Sequence, residues 1–179
     1  MAGVACDNLY EKIAQGVLPS RMAHANFEHG VFVILDISPV TPGHLTIASL
    51  ACAESIDKIS SPVLHDKLYT TAKYTGRVLA AAYPEAPYIG ALTASNQVRH
   101  PHTHRVPGDE DATWVRPFGK LPEWPRLKLK DDQMDEILGK VTTGSEVEEL
   151  WAQCYEEVAA RGTPDELTLQ AIDDLGITI

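Results

Sequence analysis

His100-Pro101-His102-Thr103-His104-Arg105-Val106 carries three histidines at alternate positions. Alternation is the period of a β-strand, so an extended segment projects all three imidazoles from one face. An α-helix would instead rotate each ring by about 200° from the one before. The strand interpretation therefore predicts a concentrated imidazole surface, which suits either a metal ion or an anionic group such as a phosphate.

Composition limits what can surround this surface. The chain has 179 residues and 44% hydrophobic content, enough for one full core with a tail. Its net charge of −10 argues against a nucleic-acid polymer or an anionic membrane as a partner. No apolar run approaches the roughly 20 residues of a membrane span, and we find no secretion signal. Cys6, Cys52 and Cys154 are widely spaced, which favours reduced thiols, so we expect a cytoplasmic protein.

A lone carboxylate interrupts an apolar strand upstream of the histidines. Residues 31–37 alternate as a β-strand would, with Asp36 among apolar neighbours. A carboxylate buried there without a partner is costly, so Asp36 either binds a ligand or caps the next turn, and both interpretations stay open. The segment 38–43 predicts a tight turn, which would bring Asp36 and His44 to the same end of the sheet.

Helical periodicity dominates the rest of the chain. A long helix is predicted from Pro62 to the break at Pro84, and two more from Asp131 to about Val141 and from Ser145 to about Arg161. Between them, residues 112–130 form an irregular, proline-broken arm that packs either on a partner subunit or at the mouth of a site. In the second case, Arg116 or Arg126 would meet an anionic group and Trp114 an apolar one. We divide the chain into residues 1–110 and an extension, 111–179, that packs on the same domain.

Three segments together resemble the histidine triad family. The first is the set of alternating histidines at 100–104. The second is the segment Ile34–His44, which matches the first block of the family. The third is Tyr10–Ile13 with Pro19-Ser20, which match its opening helix. The resemblance extends to Val106. It implies an α+β fold, a five-stranded antiparallel sheet with packed helices, here followed by a C-terminal helical extension. It also implies a homodimer that hydrolyses or transfers nucleotidyl groups, acting at the α-phosphate of a nucleotide conjugate without a cofactor.

The resemblance also implies a role for each histidine of the site. His102 would be the nucleophile that becomes nucleotidylated, while His104 and His44 would bind phosphate oxygens and assist the leaving group. His100 would orient the middle ring through its backbone carbonyl. Nucleotide-binding positions would be Asp36 at the ribose, with the remaining contacts supplied by Ile34, Leu35, Asn96 and Gln97.

Departures from the family pattern keep other interpretations open. Pro101, Thr103 and Arg105 replace apolar residues, and the zinc-binding positions of some members correspond here to Asn8, Glu11 and Cys52, so we predict no metal. One alternative is a nucleotide-binding protein without turnover. Another is a metal-dependent hydrolase that uses the histidine strand, although no Asp, Glu or His partner stands at motif spacing.

Overall fold

Five antiparallel strands form one sheet in the computed structural model, which describes residues 8–93, 98–108 and 126–178. The sheet order is β1-β2-β3-β5-β4. The strands are β1 (Met22–Asn26), β2 (Val31–Leu35), β3 (Leu45–Ser49), β4 (Ile89–Leu92) and β5 (His102–Pro107). The predicted α+β class and five-stranded antiparallel sheet are confirmed.

Five α-helices pack around this sheet in the described part of the chain. They are α1 (Leu9–Ala14), α2 (Pro62–Ala82), α3 (Asp131–Thr142), α4 (Ser145–Ala160) and α5 (Glu166–Leu175). The long helix α2 begins as its sequence predicts, because Pro62 stands in its first turn and the Ser61 hydroxyl accepts a hydrogen bond from the Leu64 amide at 3.0 Å. The predicted starts of α3 and α4 agree with the structure, and their ends differ by one residue each.

The two faces of the sheet bury separate clusters of apolar side chains. Val33, Leu35 and Ile47 face α2, and the helices α3 and α4 extend that cluster with residues such as Trp151. Phe32, Ile34, Ala48 and Leu50 face the other way, against Tyr10 and Ile13 of α1 and Ile172 of α5. The C-terminal helices therefore contribute to both clusters.

The expectation that all three cysteines are reduced thiols needs a correction. Cys52 is disulfide-bonded, so the prediction of reduced thiols is wrong for that residue. Cys154 is a free thiol, fully buried in α4, and burial raises its pKa to about 12. It therefore stays protonated and acts as a small apolar side chain.

In the described part of the chain, no helix combines the length and the apolarity that crossing a bilayer requires.

Candidate active site

The register of the central strands gathers the histidines on the α1 face. Thr46 and Ala48 of β3 stand opposite His104 and His102 of β5. Side chains of directly opposed residues lie on the same face of a sheet, so both rings project with Ala48 toward α1.

A tight turn adds two further polar side chains. Strands β2 and β3 pair as far as Leu35 and Leu45, which leaves Asp36 and His44 at the neck of the turn. There the Asp36 amide donates to the His44 carbonyl at 3.0 Å. Gly43, at φ 84°, lies against the Tyr83 ring, where an added Cβ would come within 2.6 Å of a ring carbon. The turn therefore places Asp36 and His44 at one end of the sheet, as the sequence predicts.

His102 has one ring nitrogen bound and one available. Its Nδ1 lies 2.7 Å from the His100 carbonyl oxygen, which can only accept, so Nδ1 carries the proton. Its Nε2 therefore holds a lone pair, and no described residue forms a hydrogen bond with it. Burial is the main cause of a lowered pKa for His102. The ring is thus neutral at pH 7, in the tautomer that suits nucleophilic attack through Nε2.

His100 is fully buried and bonded on both ring nitrogens. Its Nε2 donates to the Ser49 carbonyl at 2.7 Å, and its Nδ1 accepts from the Asn8 amide nitrogen at 3.1 Å. The Asn8 side-chain oxygen also caps α1 by accepting from the Tyr10 and Glu11 amides. Burial lowers the pKa of His100 to about 4. The ring is therefore a neutral connector between α1 and the sheet.

His44 and His104 form a hydrogen-bonded pair, with His44 Nε2 and His104 Nδ1 2.9 Å apart. The Val40 amide donates to His44 Nδ1 at 3.4 Å, so the proton of His44 belongs on Nε2, which donates to His104. His104 then carries its own proton on Nε2. Burial is the first cause of a lowered pKa in both rings. A neutral pair at pH 7 thus presents an N–H donor from His104.

Asp36 divides its two oxygens between the turn and the histidines. Its Oδ1 accepts from the Ser38 amide at 2.8 Å, so this residue does cap the turn. Its Oδ2 lies 3.7 Å from His44 Nε2 and 3.9 Å from His104 Nδ1, and accepts a long 3.4 Å hydrogen bond from the Thr46 hydroxyl. The structural interpretation of Asp36 therefore holds for one oxygen, while the other faces the candidate site.

The described end of the arm, residues 126–130, returns to this turn. The Leu127 amide donates to the Pro39 carbonyl at 2.8 Å, and Arg126 donates to the Ser38 carbonyl at 2.6 Å. Arg126 Nη1 also lies 3.8 Å from Asp36 Oδ1. A guanidinium group thus stands beside the only carboxylate that faces the histidine pair among the described residues.

Comparison with known proteins identifies the architecture. No protein-family model and no curated protein matches the sequence. Solved structures do match, among them a Hit-like protein involved in cell-cycle regulation from Bartonella henselae, at 18% identity over 75% of this chain and 93% of that chain, with a TM-score of 0.57. A hypothetical histidine triad nucleotide-binding protein from Sulfolobus tokodaii is also 18% identical, over 83% of this chain and 92% of that one, with a TM-score of 0.58. The chain has the histidine-triad fold. A HIT family hydrolase from Clostridium thermocellum shares this fold at 21% identity, over 64% of this chain and 97% of the other, with a TM-score of 0.51.

Within the histidine-triad fold, the other residues named from the sequence are placed as follows. Ile34 stands opposite Thr46 and lies on the face of the histidines, whereas Leu35 is fully buried on the α2 face and does not reach them. Asn96 and Gln97 lie outside the described residues, as do Trp114 and Arg116. Adjacent residues of a strand point to opposite faces, so Ile34 and Leu35 cannot line the same pocket.

The unusual residues of the triad strand have structural partners. Pro101 precedes β5 and needs no amide hydrogen, while its carbonyl accepts from the Ser49 amide at 3.2 Å. The Thr103 hydroxyl donates to the Leu92 carbonyl, and Arg105 Nε donates to the Ala72 carbonyl of α2. These departures therefore lie before β5 or on the face opposite the candidate site.

Sequence reasoning missed Thr46 and the contact of Asn8. The Thr46 hydroxyl lies 3.0 Å from His104 Nδ1 and 3.4 Å from Asp36 Oδ2, so its single hydrogen can be donated to one or the other. The sequence could have indicated Thr46, because it stands two residues after His44 in a predicted strand and therefore lies on the same face as His44. Nothing local links Asn8 to His100, because 92 residues separate them.

Proposed function

We propose that this protein belongs to the histidine triad family and cleaves nucleotide conjugates at the α-phosphate, as a hydrolase or nucleotidyltransferase. The observation that carries the proposal is the hydrogen bond from His102 Nδ1 to the His100 carbonyl, because it leaves a neutral Nε2 lone pair in position. The names of two structural neighbours, a nucleotide-binding protein and a hydrolase, support the same class.

The reaction would proceed in two displacements. His102 Nε2 attacks the α-phosphorus, an N–P bond forms, and the bond from phosphorus to the leaving group breaks with its electron pair. His104, whose ring centroid lies 5.0 Å from that of His102, donates a hydrogen bond from its Nε2–H to the phosphoryl oxygens or the leaving group, which takes any proton it needs from solvent. Water, or the hydroxyl of an acceptor in a transferase, then attacks phosphorus and loses its proton to solvent, while the N–P bond breaks and its electron pair returns to His102 Nε2.

Asp36 and Arg126 would hold the two ends of the substrate. Asp36 Oδ2 is a carboxylate acceptor suited to the ribose hydroxyls. Arg126 places positive charge near the histidine pair, where it contributes to lowering the pKa of both rings. We therefore expect Arg126 to bind an anionic leaving group, such as the remaining phosphates of a dinucleoside polyphosphate.

The test is to trap the intermediate. Wild-type protein is mixed with adenosine phosphoramidates, dinucleoside polyphosphates and adenylylated small molecules, quenched at alkaline pH, and weighed by intact mass spectrometry while nucleotide release is followed. We expect a nucleotidyl adduct in the wild type and none in His102→Ala, which should lose turnover. His44→Ala and His104→Ala should each lose about 10²-fold or more in turnover.

The matched control is His65→Ala, because His65 is an exposed histidine on α2. This variant should form the adduct at the wild-type rate. Near-normal turnover in His102→Ala would contradict the covalent mechanism. Nucleotide binding without turnover in the wild type would instead favour the non-catalytic alternative.

A further inference from the structure

Three metal-ligating side chains meet beside the proposed nucleophile without including it. Asp36, His44 and His104 come from the end of β2, the start of β3 and the middle of β5, and their ligand atoms lie within 4.8 Å of one another. The donors are one carboxylate oxygen and two imidazole nitrogens, a set that suits Zn²⁺ and Co²⁺. Sequence analysis found no partner for the histidine strand, and the fold supplies two.

The spacing of these atoms matches metal coordination. The distances are 2.9 Å between the two nitrogens, 3.7 Å from His44 Nε2 to Asp36 Oδ2 and 3.9 Å from His104 Nδ1 to the same oxygen. Three atoms at these separations lie on a circle of radius about 2.1 Å, and Zn–N and Zn–O bonds are about 2.0–2.2 Å long. An ion at the centre of that circle would lie within bonding distance of all three atoms, and rotation of the two rings would turn their lone pairs toward it.

The groups around the cluster act on metal binding in opposite directions. Arg126 Nη1, 3.8 Å from Asp36 Oδ1, opposes the binding of a cation, whereas the Asp36 carboxylate attracts one. Thr46 supports Asp36 Oδ2 from a second position, as residues around metal ligands commonly do. Ligation by His44 Nε2 requires the proton of that ring on Nδ1, at the expense of the 3.4 Å contact from Val40, which is long and weak.

The other two alternating histidines, His102 in β5 and His100 just before it, are excluded from this set. Both ring nitrogens of His100 are engaged, by Ser49 and Asn8, and His102 Nδ1 is bonded to the His100 carbonyl. A metal held by the alternating histidines themselves would have to break these bonds. The set with Asp36 breaks the bond between His44 and His104, the 3.0 Å contact of Thr46 with His104 Nδ1 and the weak contact from Val40, and it leaves the bonds of His100 and His102 intact.

We propose that Asp36, His44 and His104 bind a divalent transition metal, with Zn²⁺ as the physiological candidate, and that the bound ion competes with nucleotide. Binding itself depends on the geometry alone. Competition rests on the proposed function, because a metal on Asp36, His44 and His104 would occupy the groups assigned to the ribose and the phosphate. The ion would thus act as a reversible inhibitor.

The experiment titrates chelator-treated protein with Co²⁺ and follows the visible d–d absorption of the bound ion, then displaces it with Zn²⁺. We expect saturation at one ion per chain. Asp36→Asn, which keeps the side-chain shape, and His44→Gln should each weaken Co²⁺ binding by about tenfold or more. His65→Ala is the control and should bind as the wild type does.

Two outcomes would overturn the site. One is the absence of saturable Co²⁺ absorption in the wild type. The other is full binding in Asp36→Asn combined with loss in His100→Gln, which would move the metal to the alternating histidines. Adding adenosine monophosphate should lower the apparent affinity for Co²⁺, and an unchanged affinity would overturn the inhibitory role. Failure to trap a nucleotidyl adduct would leave the metal titration unaffected, so the two proposals fail separately.

Discussion

At the scale of the residue, hydrogen-bond partners give the three alternating histidines, His102 and His104 in β5 and His100 just before it, different chemical properties. His102 donates a hydrogen bond from one ring nitrogen to a carbonyl and keeps the lone pair of the other available. His100 forms hydrogen bonds through both of its ring nitrogens. His104 accepts at Nδ1 from His44 and is left as a donor at Nε2. Because every ring is buried, each is neutral at pH 7, and its tautomer rather than its charge distinguishes its role.

Asp36→Asn tests the residue that faces both the turn and the site. The amide oxygen can still accept from the Ser38 amide, so the turn should survive. The amide nitrogen would then replace the oxygen that faces His44 and His104, and it cannot accept from ribose hydroxyls. We expect binding of adenosine monophosphate to weaken by about tenfold, the value of one charge-assisted hydrogen bond.

The measurement is isothermal titration of each variant with adenosine monophosphate and with its 2′,3′-dideoxy analogue. The dideoxy ligand should bind both variants with nearly equal affinity. Equal weakening for the two ligands would show that Asp36 acts only on the structure of the turn.

At the scale of the element, the C-terminal helices are part of the core. His24 of β1 stacks on Trp151 of α4, with ring centroids 4.6 Å apart and planes 6° from parallel. Trp151 Nε1 in turn donates to the Val141 carbonyl of α3 at 2.8 Å. This chain of contacts fastens α3 and α4 to an edge strand of the sheet. It also buries an ionisable ring.

His24→Phe should make the protein less sensitive to acid. Burial lowers the pKa of His24 to about 4. The unfolded chain therefore binds a proton more readily than the folded one as the pH falls below the ordinary value of about 6.5. The stability associated with neutral His24 is complete above that pH and is lost on going down toward pH 4.

Urea denaturation at a series of pH values measures this effect. Between pH 7 and pH 5, His24→Phe should lose on the order of 1–2 kcal/mol less free energy of unfolding than the wild type. The replacement keeps the aromatic stack on Trp151. Parallel pH profiles for His24→Phe and the wild type would contradict the prediction.

At the scale of the whole molecule, one edge of the sheet offers a surface for self-association. The strand β4 pairs with β5 on one side, and no described strand pairs with its other side. The Gly108 amide donates to the Tyr88 carbonyl, so by alternation Gly90 and Leu92 bond to β5 while the amides of Ile89 and Ala91 point outward. An outward row of amides and carbonyls can pair with a second copy of itself.

We infer that the protein forms the homodimer implied by its resemblance, through antiparallel pairing of two β4 strands. Ala91→Pro removes an outward amide without removing a bond to β5, so it should give monomers. Ala91→Thr keeps the amide and should remain dimeric. Size-exclusion chromatography with light scattering reads out the mass. A monomeric wild type, or a dimeric Ala91→Pro variant, would exclude this interface.

The local sequence pattern determined most of the secondary structure and one turn of this protein. Alternating histidines predict a strand, the proline-rich turn predicts that Asp36 and His44 lie together, and helical periodicity predicts α3 and α4 to within one residue at their ends. The separation of Ile34 and Leu35 onto opposite faces also follows from the two-residue period of a strand, although the family resemblance grouped them. These features depend on neighbours in sequence, so the sequence alone specifies them.

Contacts between distant segments were decided only by the tertiary structure. The contact of Asn8 with His100 and the return of Arg126 to the turn join parts of the chain that no periodicity relates. The disulfide bond of Cys52 was likewise not predicted from the sequence. The grouping of Asp36 with His44 and His104 required the register of β3 against β5, which places His104 opposite Thr46. A shift of one residue in that register would turn both rings of β5 to the α2 face, so the site exists because long-range packing fixes the register.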